Sequence, residues 1–247
     1  MAYYNVPKGY ADCDDMLAHL CEDLEHYVKV NDFPLRINIL KLGWLQVIKH
    51  ALDTLKHKGV PLDINSIPLD DKATLNLFKK SDVREIFQFG SPAMCNYLSQ
   101  MKSVNFGDLV ALNSLGCPGR TDWIPEFLKR KNRYSKDRNF EDILSETYGL
   151  LIYQEQAMQI IHRMTGFTLG WCYQIRRILA KKNPDYLVKL EPEFFAASDS
   201  RGYDRKTISR MWELLFSKSG LLFNKSHAVA YTLISFQTAY LAAHHEA

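Results

Sequence analysis

Four cationic side chains stand close together in the second half of the chain: Arg176, Arg177, Lys181 and Lys182. Arg177 and Lys181 are four residues apart, which places them on one face of a helix, and Arg176 and Lys182 flank that face. Two adjacent arginines offer forked donors that match phosphate oxygens. The same pattern is typical of a solvated cationic face near a helix C-terminus, where the helix dipole favours positive charge. The cluster therefore indicates either a phosphate-binding surface or ordinary solvent-exposed charge.

A second group with possible anion chemistry is the run Asn224-Lys225-Ser226-His227 at the head of the last long predicted helix. Ser226 could cap the free amides of the first turn, while Lys225 and His227 point at an anion. The helix dipole, the free backbone amides and the charged side chains would then all favour an anion at the same place. His227 is also compatible with an ordinary structural role, in which its ring nitrogens are satisfied within the fold.

The helix that carries the first cluster is predicted over residues 169–182, where Asn183-Pro184 ends it. A preceding helix is predicted over residues 154–165, and Gly166 stands at a natural stop position. Residues 150–153 form a short apolar run, which predicts either a strand or an extended segment leading into the helix. The run is too short for its periodicity to distinguish the two.

The rest of the chain is also predicted to be mostly helical. Apolar side chains at helical spacing predict helices at 12–30, 43–58, 72–80, 91–101, 106–115, 123–131, 185–197 and 205–217, and a long buried helix within 220–239. Residues 35–40 alternate between apolar and polar, which predicts one short strand. The basic stretch 129–138 is predicted to be a polar loop, with nucleic-acid contact as the lesser alternative. The expected fold class is therefore mainly α with a small β component.

Charge, cysteine content and hydropathy limit which classes of protein the chain can belong to, but they do not identify a function. The 247 residues carry a formal charge of only +3, so any basic site must be local rather than global. The five cysteines are odd in number and form no Cys-x-x-Cys motif, which predicts reduced thiols in a cytoplasmic protein. We expect no signal peptide, and residues 228–243 are too short and too polar for a membrane span. No membrane partner is expected.

A metal site in the first predicted helix is the weaker interpretation of its cysteines and histidines. Cys13, His19, Cys21 and His26 lie along residues 12–30, but their spacing matches no zinc motif. One straight helix cannot wrap four ligands around an ion. We therefore predict no metal site there.

Six segments, taken in chain order, carry a resemblance to a known family. They are IPLDD (67–71), IFQFGSPAM (86–94), DLVALNSL (108–115), ETYGLLIYQEQAMQII (146–161), RRILAKKNP (176–184) and FNKSHAVAYTLISFQTAYLAAH (223–244). Together they resemble the fingers region of the bacterial DNA polymerase III alpha subunits, the C-family replicative DNA polymerases. The resemblance runs from about Leu35 to the C-terminus. It implies a division into residues 1–65, with an N-terminal helix and the end of the palm, and residues 66–247, a helical fingers domain.

The resemblance implies a binding role for the residues singled out above. In this family the fingers hold the triphosphate of the incoming dNTP and the end of the primer–template DNA. Arg176, Arg177, Lys181, Lys182, Lys225, Ser226 and His227 would then meet phosphates, Tyr153, Gln154 and Gln156 would shape the floor of the cleft, and Tyr231 would stack on a base. The last four residues suit simple packing equally well.

Catalysis is where this sequence departs from the family it resembles. The family's palm holds two Mg²⁺ ions with three aspartates, of which an Asp-x-Asp pair and a PHP domain lie upstream and have no counterpart here. The third aspartate position is Asn38, and an uncharged amide cannot replace a metal-binding carboxylate. The family's Arg-Pro-Gly-Pro turn reads Cys117-Pro118-Gly119-Arg120, and its usual glutamate before Ser91 is Gly90. We expect no catalytic residue and no cofactor bound by this chain alone, although the intact family enzyme uses Mg²⁺.

Two functions remain open from the sequence. The first is a nucleotidyltransferase-family fingers module that binds dNTP and primer–template DNA but is not catalytic alone. Such a module could be an excised piece, a truncated gene product or one half of a split polymerase with a separate palm-containing chain. The second is a non-enzymatic remnant that uses the same fold as a protein-interaction module.

Overall fold

Helices make up most of the described chain, and the mainly α prediction is confirmed. The computed structural model describes residues 43–133 and 140–245. Its α-helices are α1 (Gly43–His57), α2 (Lys72–Lys79), α3 (Pro92–Ser99), α4 (Phe106–Leu115), α5 (Ile124–Arg133), α6 (Glu141–Leu144), α7 (Gln154–Thr165), α8 (Leu169–Lys181), α9 (Pro184–Ser200), α10 (Arg205–Lys218) and α11 (Lys225–His244). Short 3₁₀ turns stand at Thr121–Trp123 and Ser145–Thr147.

Several predictions fall on residues outside the described ranges. These are the helix at 12–30 with its cysteines and histidines, the strand at 35–40, and Asn38. The division of the chain at residue 65 also stays a prediction.

Local capping signals set many of the helix boundaries. The Asp71 carboxylate accepts a hydrogen bond from the Thr74 amide at 2.8 Å and starts α2. At α4 the Asn105 side chain accepts from the Asp108 amide, and the Asp108 carboxylate accepts from the Asn105 amide, so that both orphan amides are satisfied. Helix α7 ends at Gly166, whose φ of +75° is left-handed, as predicted.

The prediction of a loop over residues 129–138 is wrong for its first five residues, because α5 continues to Arg133. Ile124, Phe127 and Leu128 on the preceding turns are buried, and this packing carries the helix forward into the basic stretch. Residues 134–138 lie outside the described ranges.

Two hydrophobic cores divide the helices. The first is built from α2 to α5 together with α11, and its aromatic centre includes Phe78, Phe89 and Phe236. The second is built from α6 to α10. Helix α1 packs on α11 through a smaller cluster that joins Ile48 to Leu241.

A short backbone joint connects the two cores. Tyr153 and Phe223 form an isolated parallel β-bridge, in which the Phe223 amide donates to the Ile152 carbonyl and the Gln154 amide donates to the Phe223 carbonyl, both at 2.9 Å. The extended entry predicted before α7 is confirmed at Tyr153. Because the bridge is parallel and each strand residue leads directly into a helix, α7 and α11 begin side by side.

A buried ion pair ties α4 to α5. Lys131 Nζ lies 2.7 Å from Asp108 Oδ2, and the Tyr148 hydroxyl donates to Asp108 Oδ1 at 2.7 Å. Lys131 also donates to the Tyr148 hydroxyl oxygen at 3.1 Å. The side chains of Lys131 and Asp108 are only 6% and 1% exposed, so this pair is shielded from water.

Position 90 is a glycine because no larger side chain fits there. A Cβ atom placed on Gly90 would lie 2.2 Å from the Arg84 carbonyl oxygen, closer than such atoms approach. The turn that precedes Ser91 and α3 therefore accepts no larger residue without moving the backbone.

Candidate functional site

The candidate site is centred on the first turns of α7 and α11, which we call the paired helix starts (residues 153–156 and 224–227). Besides the bridge, the Gln154 amide side chain donates to the Leu222 carbonyl at 3.2 Å, and the Lys225 backbone amide donates to Glu155 Oε2 at 3.0 Å. The N-terminal end of each helix carries partial positive charge from its free amides. Two such ends at one place favour a negatively charged group.

The cap of α11 is Asn224 and not Ser226. Asn224 has extended backbone angles, and its side-chain oxygen accepts a hydrogen bond from the His227 amide at 2.8 Å. The prediction that Ser226 caps this helix is wrong, because the helix begins two residues earlier and places Ser226 inside its first turn. Ser226 is half-buried there.

The ammonium group of Lys225 is held by a carboxylate of the same chain. Lys225 Nζ lies 2.5 Å from Glu146 Oε2, and both side chains are partly exposed. Together with Glu155 on the Lys225 backbone amide, this carboxylate supplies the negative charge that the helix starts favour. A phosphate that binds Lys225 must therefore compete with Glu146.

Arg176 is the buried arginine of α8. The residue is only 9% exposed, and its Nε atom is buried without a hydrogen-bond partner among the described residues. Burial lowers the pKa of the Arg176 guanidinium, while Tyr173, which lies beneath it, and Glu155 favour the charged form. Arg176 is thus a largely buried arginine whose charge Glu155 favours, without an ion pair of its own in the described part of the chain.

The other three cations of the cluster do not share one face with Arg176. Arg177 and Lys181 are exposed on the outer side of α8. Lys182 ends the helix in a left-handed conformation with φ of +52°, and its Nζ lies 5.1 Å from the ring centre of Phe216 on α10. The helix therefore divides the cluster into one buried arginine, two outward cations and one lysine directed toward α10.

The predicted cleft-shaping residues mainly support the joint between the cores. The buried Gln156 side chain accepts hydrogen bonds from the Ile152 and Tyr153 amides at 2.9 Å and donates to Thr147 Oγ1 at 2.8 Å. Tyr153 is buried as well, and burial raises the pKa of its hydroxyl. Gln154 is half-buried and contacts Leu222.

An aromatic row extends from the paired helix starts along α11. His227 lies 5.6 Å from Phe223 and 4.3 Å from Tyr231 between ring centres, and Tyr231 lies 5.8 Å from Phe87. Phe223, His227 and Tyr231 form one wall of a cavity of about 410 Å³, whose other lining residues include Asn113. A flat ring could stack on this wall, in the manner of aromatic side chains that bind nucleobases.

Arg120, which stands in the turn that departs from the family's Arg-Pro-Gly-Pro, also lies near the joint, although it was not among the predicted binding residues. Its guanidinium lies 5.2 Å from the Phe223 ring centre, and its Nε donates to the Leu221 carbonyl. These contacts place a cation at the segment that leads into α11. No local motif signals it, because its partners lie about a hundred positions away in the chain.

Neither a metal cluster nor a membrane-spanning helix is found within the described ranges. No group of three or more histidine, cysteine, aspartate and glutamate side chains is placed to hold a metal ion there. None of the described helices combines the length and the apolar character needed to cross a bilayer.

The described residues thus define a mainly α-helical domain in which cations and aromatic rings gather at paired helix starts. Residues 44–202 match the family model of the bacterial DNA polymerase III alpha subunit finger domain. Because this match covers well over half of the chain, the chain belongs to that family.

Named relatives agree with the family assignment. The DNA polymerase III subunit alpha of Streptococcus pyogenes is 36% identical over 239 residues, which cover 95% of this chain and 23% of the relative. That of Halalkalibacterium halodurans is 36% identical over 203 residues, covering 81% and 18%. That of Borreliella burgdorferi is 35% identical over 214 residues, covering 85% and 19%. The chain spans about a fifth of the length of these relatives.

Proposed function

We propose that this chain acts in bacterial DNA replication, in the cytoplasm, as a fingers module that binds the triphosphate of an incoming dNTP and primer–template DNA. The chemical step would need palm aspartates and Mg²⁺, which belong to the intact family enzyme and would come from elsewhere, including a separate palm-containing chain. This chain alone is then not catalytic. The proposal rests on the family and on the arrangement at the paired helix starts.

The observation that carries the proposal is the environment of Arg176. The Arg176 residue is nine-tenths buried, its Nε atom has no hydrogen-bond partner, and no carboxylate of the described structure forms an ion pair with it. A bound phosphate would restore that interaction through charge-assisted hydrogen bonds. The free energy released on binding is larger at such a site than at a fully solvated arginine, where water already satisfies the donors.

The remaining site residues would contact the other parts of the nucleotide. Lys225 and Ser226 would face the phosphates once the Lys225 ammonium leaves Glu146 and Glu155 releases the Lys225 backbone amide. His227 and Tyr231 would place the base against the aromatic row and its cavity. From α8, Arg176 would approach the same anion, and Arg177 on the outer side of the helix would meet phosphates of the primer–template DNA.

The experiment is fluorescence anisotropy of a labelled primer–template DNA across a salt series, with unlabelled dNTP as a second ligand. We expect the affinity to fall steeply with salt. The double variant Arg176→Ala/Arg177→Ala should bind both ligands more weakly and should lower the slope of log K against log salt by about two.

The matched control is the double variant Lys58→Ala/Lys72→Ala, which removes the same charge from two exposed positions; Lys72 follows Asp71, whose carboxylate contacts His244 at the opposite end of α11. It should leave the dNTP affinity within about twofold, since distant charges are screened beyond roughly 10 Å. Equal losses in the two double variants, or no binding by the unaltered chain at low salt, would refute the proposed function.

One observation favours the alternative of a protein-interaction module. Helices α8 and α9 expose several large apolar side chains: Leu169, Trp171, Tyr173, Tyr186 and Val188. Exposed apolar groups of this kind often contact another protein. On this alternative the chain would bind a partner protein with little salt dependence and would bind neither DNA nor dNTP, so the same salt series separates the two functions.

A further inference from the structure

The two adjacent arginines of α8 differ sharply in exposure, although both guanidinium groups lie within 6 Å of the Tyr173 ring centre. Arg176 is nine-tenths buried, and Glu155 at the start of α7 favours its charge. Arg177 is exposed and points along the outer side of the helix. A single phosphate site that uses both arginines equally does not follow from this arrangement.

Arg177 belongs instead to a row of exposed residues along α8, which we call the outer ridge (Leu169, Tyr173, Arg177 and Lys181). These residues recur every fourth position, so they form one continuous ridge with a rise of about 6 Å per step. All four are exposed. The ridge therefore presents an aliphatic group, an aromatic ring and two cations in line.

Tyr173 is the aromatic member of the outer ridge, and its ring is held by both arginines. The ring centre lies 5.2 Å from the Arg176 guanidinium carbon and 5.8 Å from that of Arg177. Cations at this distance interact favourably with the face of an aromatic ring and fix its orientation. The residue nevertheless stays 39% exposed, so part of the ring remains open to a ligand.

The charge of α8 selects the class of that ligand. The helix carries Arg176, Arg177 and Lys181 and contains no aspartate or glutamate. A cationic row next to an exposed aromatic ring is the combination with which proteins bind single-stranded nucleic acid: cations follow the backbone and bases stack on rings. A double helix keeps its bases stacked on each other and cannot offer a face to Tyr173.

We propose that the outer ridge of α8 is a single-stranded DNA site, which takes the unpaired stretch of a template strand. Tyr173 stacks on a base, and Arg177 and Lys181 contact the phosphates. Arg176 serves the separate nucleotide site at the paired helix starts. This inference rests on the proposed function and divides its phosphate-binding residues between two ligands.

The test compares single variants of the full chain with two ligands: a labelled single-stranded oligothymidine and dTTP. Tyr173→Ala should weaken binding of the oligothymidine about 5- to 150-fold, whereas Tyr173→Phe should bind normally because it keeps the ring. Arg177→Ala should lower the salt slope for the oligothymidine by about 0.7 and change the dTTP affinity little. Arg176→Ala should show the opposite pattern, with the main loss on dTTP.

Two controls keep the result specific. Tyr186→Ala removes an aromatic ring that is 60% exposed on α9, outside the ridge, and should leave oligothymidine binding unchanged. A blunt hairpin duplex should bind Tyr173→Ala as well as it binds the unaltered chain.

Each contrary outcome has a distinct meaning. If the unaltered chain binds dTTP but not the oligothymidine, or if Tyr173→Ala binds it normally, the outer ridge is not a single-strand site and the proposed function stands. Equal effects of Arg176→Ala and Arg177→Ala on both ligands would also overturn the division. An unaltered chain that binds neither ligand would refute the proposed function together with this inference.

Discussion

Replacing Lys131 by methionine tests whether the buried ion pair between α4 and α5 holds the first core together. The substitution keeps a long apolar side chain but removes the ammonium group that lies 2.7 Å from Asp108. The Asp108 carboxylate is then left as a charge that is 1% exposed and has lost its cation. We expect a marked loss of stability without a change of fold.

The size of the loss follows from what remains around Asp108. Removing one partner of a buried pair costs about 3–5 kcal/mol, because the other charge stays buried and uncompensated. The carboxylate keeps its hydrogen bonds from the Asn105 amide and the Tyr148 hydroxyl, so the lower end of that range applies. At a urea m-value of about 2 kcal/mol/M, a loss of about 3 kcal/mol moves the unfolding midpoint down by about 1.5 M.

The assay is urea unfolding, with Lys129→Met as the matched control on the same helix. The Lys129 side chain is 68% exposed, and its Nζ lies 3.9 Å from Glu126 Oε2. Such surface pairs contribute about 0–1 kcal/mol. Adding Asp108→Asn to Lys131→Met should recover part of the loss, because it removes the uncompensated charge. If Lys131→Met costs no more than Lys129→Met, the pair is effectively solvated and the argument from burial is wrong.

Two further predictions concern titration and thiol chemistry. Burial raises the pKa of Asp71, but hydrogen bonds from Thr74 and His244 outweigh it and lower the pKa from 3.8 to about 2. Because the folded pKa is the lower one, the stability that Asp71 contributes is present above about pH 4 and is lost as the pH falls toward 2. The measurement is the urea unfolding midpoint as a function of pH. Asp71→Asn should reduce the fall of this midpoint between about pH 4 and pH 2. Burial raises the pKa of the Cys172 thiol to about 11, so Cys172 should escape alkylation by iodoacetamide near pH 8 until urea is added. The half-buried Cys95 should react in the folded chain. Peptide mass spectrometry measures the alkylation of each cysteine. Early alkylation of Cys172, or identical pH curves for Asp71→Asn and the unaltered chain, would contradict these expectations.

The helices were predictable wherever a local signal sets the boundary. Helix α7 begins and ends where expected because Gly166 can adopt the left-handed conformation that stops it. Helix α4 likewise follows from its capping pair and its run of apolar residues, which are buried nearly all round the helix. These signals involve residues three to five positions apart, which a linear sequence displays directly.

The start of α11 was harder to predict because two good capping residues stand two positions apart. Asn224 and Ser226 both suit an N-cap, and local preference does not choose between them. The bridge between Tyr153 and Phe223 makes the choice, since it holds the chain extended up to Phe223. The deciding contact joins residues seventy positions apart.

The geometry of the cationic cluster was also beyond sequence reasoning. Spacing correctly placed Arg177 and Lys181 on one side of α8, but it could not show that Arg176 is buried. That burial depends on how α8 packs against α7, which no local pattern encodes. The same reason hides Arg120, whose partners belong to the segment before α11.

The bridge between Tyr153 and Phe223 gives the second core the character of an inserted lobe. Most of the second core lies between the two bridge residues: the chain passes Ile152, builds α7 to α10, and returns to the same hydrogen-bonded point before α11 starts, while α6 joins this core from the preceding segment. The closure entropy of such an excursion grows only with the logarithm of its length, by about 0.6 kcal/mol for each doubling. The lobe can therefore gain or lose surface segments at small cost to the rest of the molecule, and evolution can remodel it while the first core and the helix α11 stay in register.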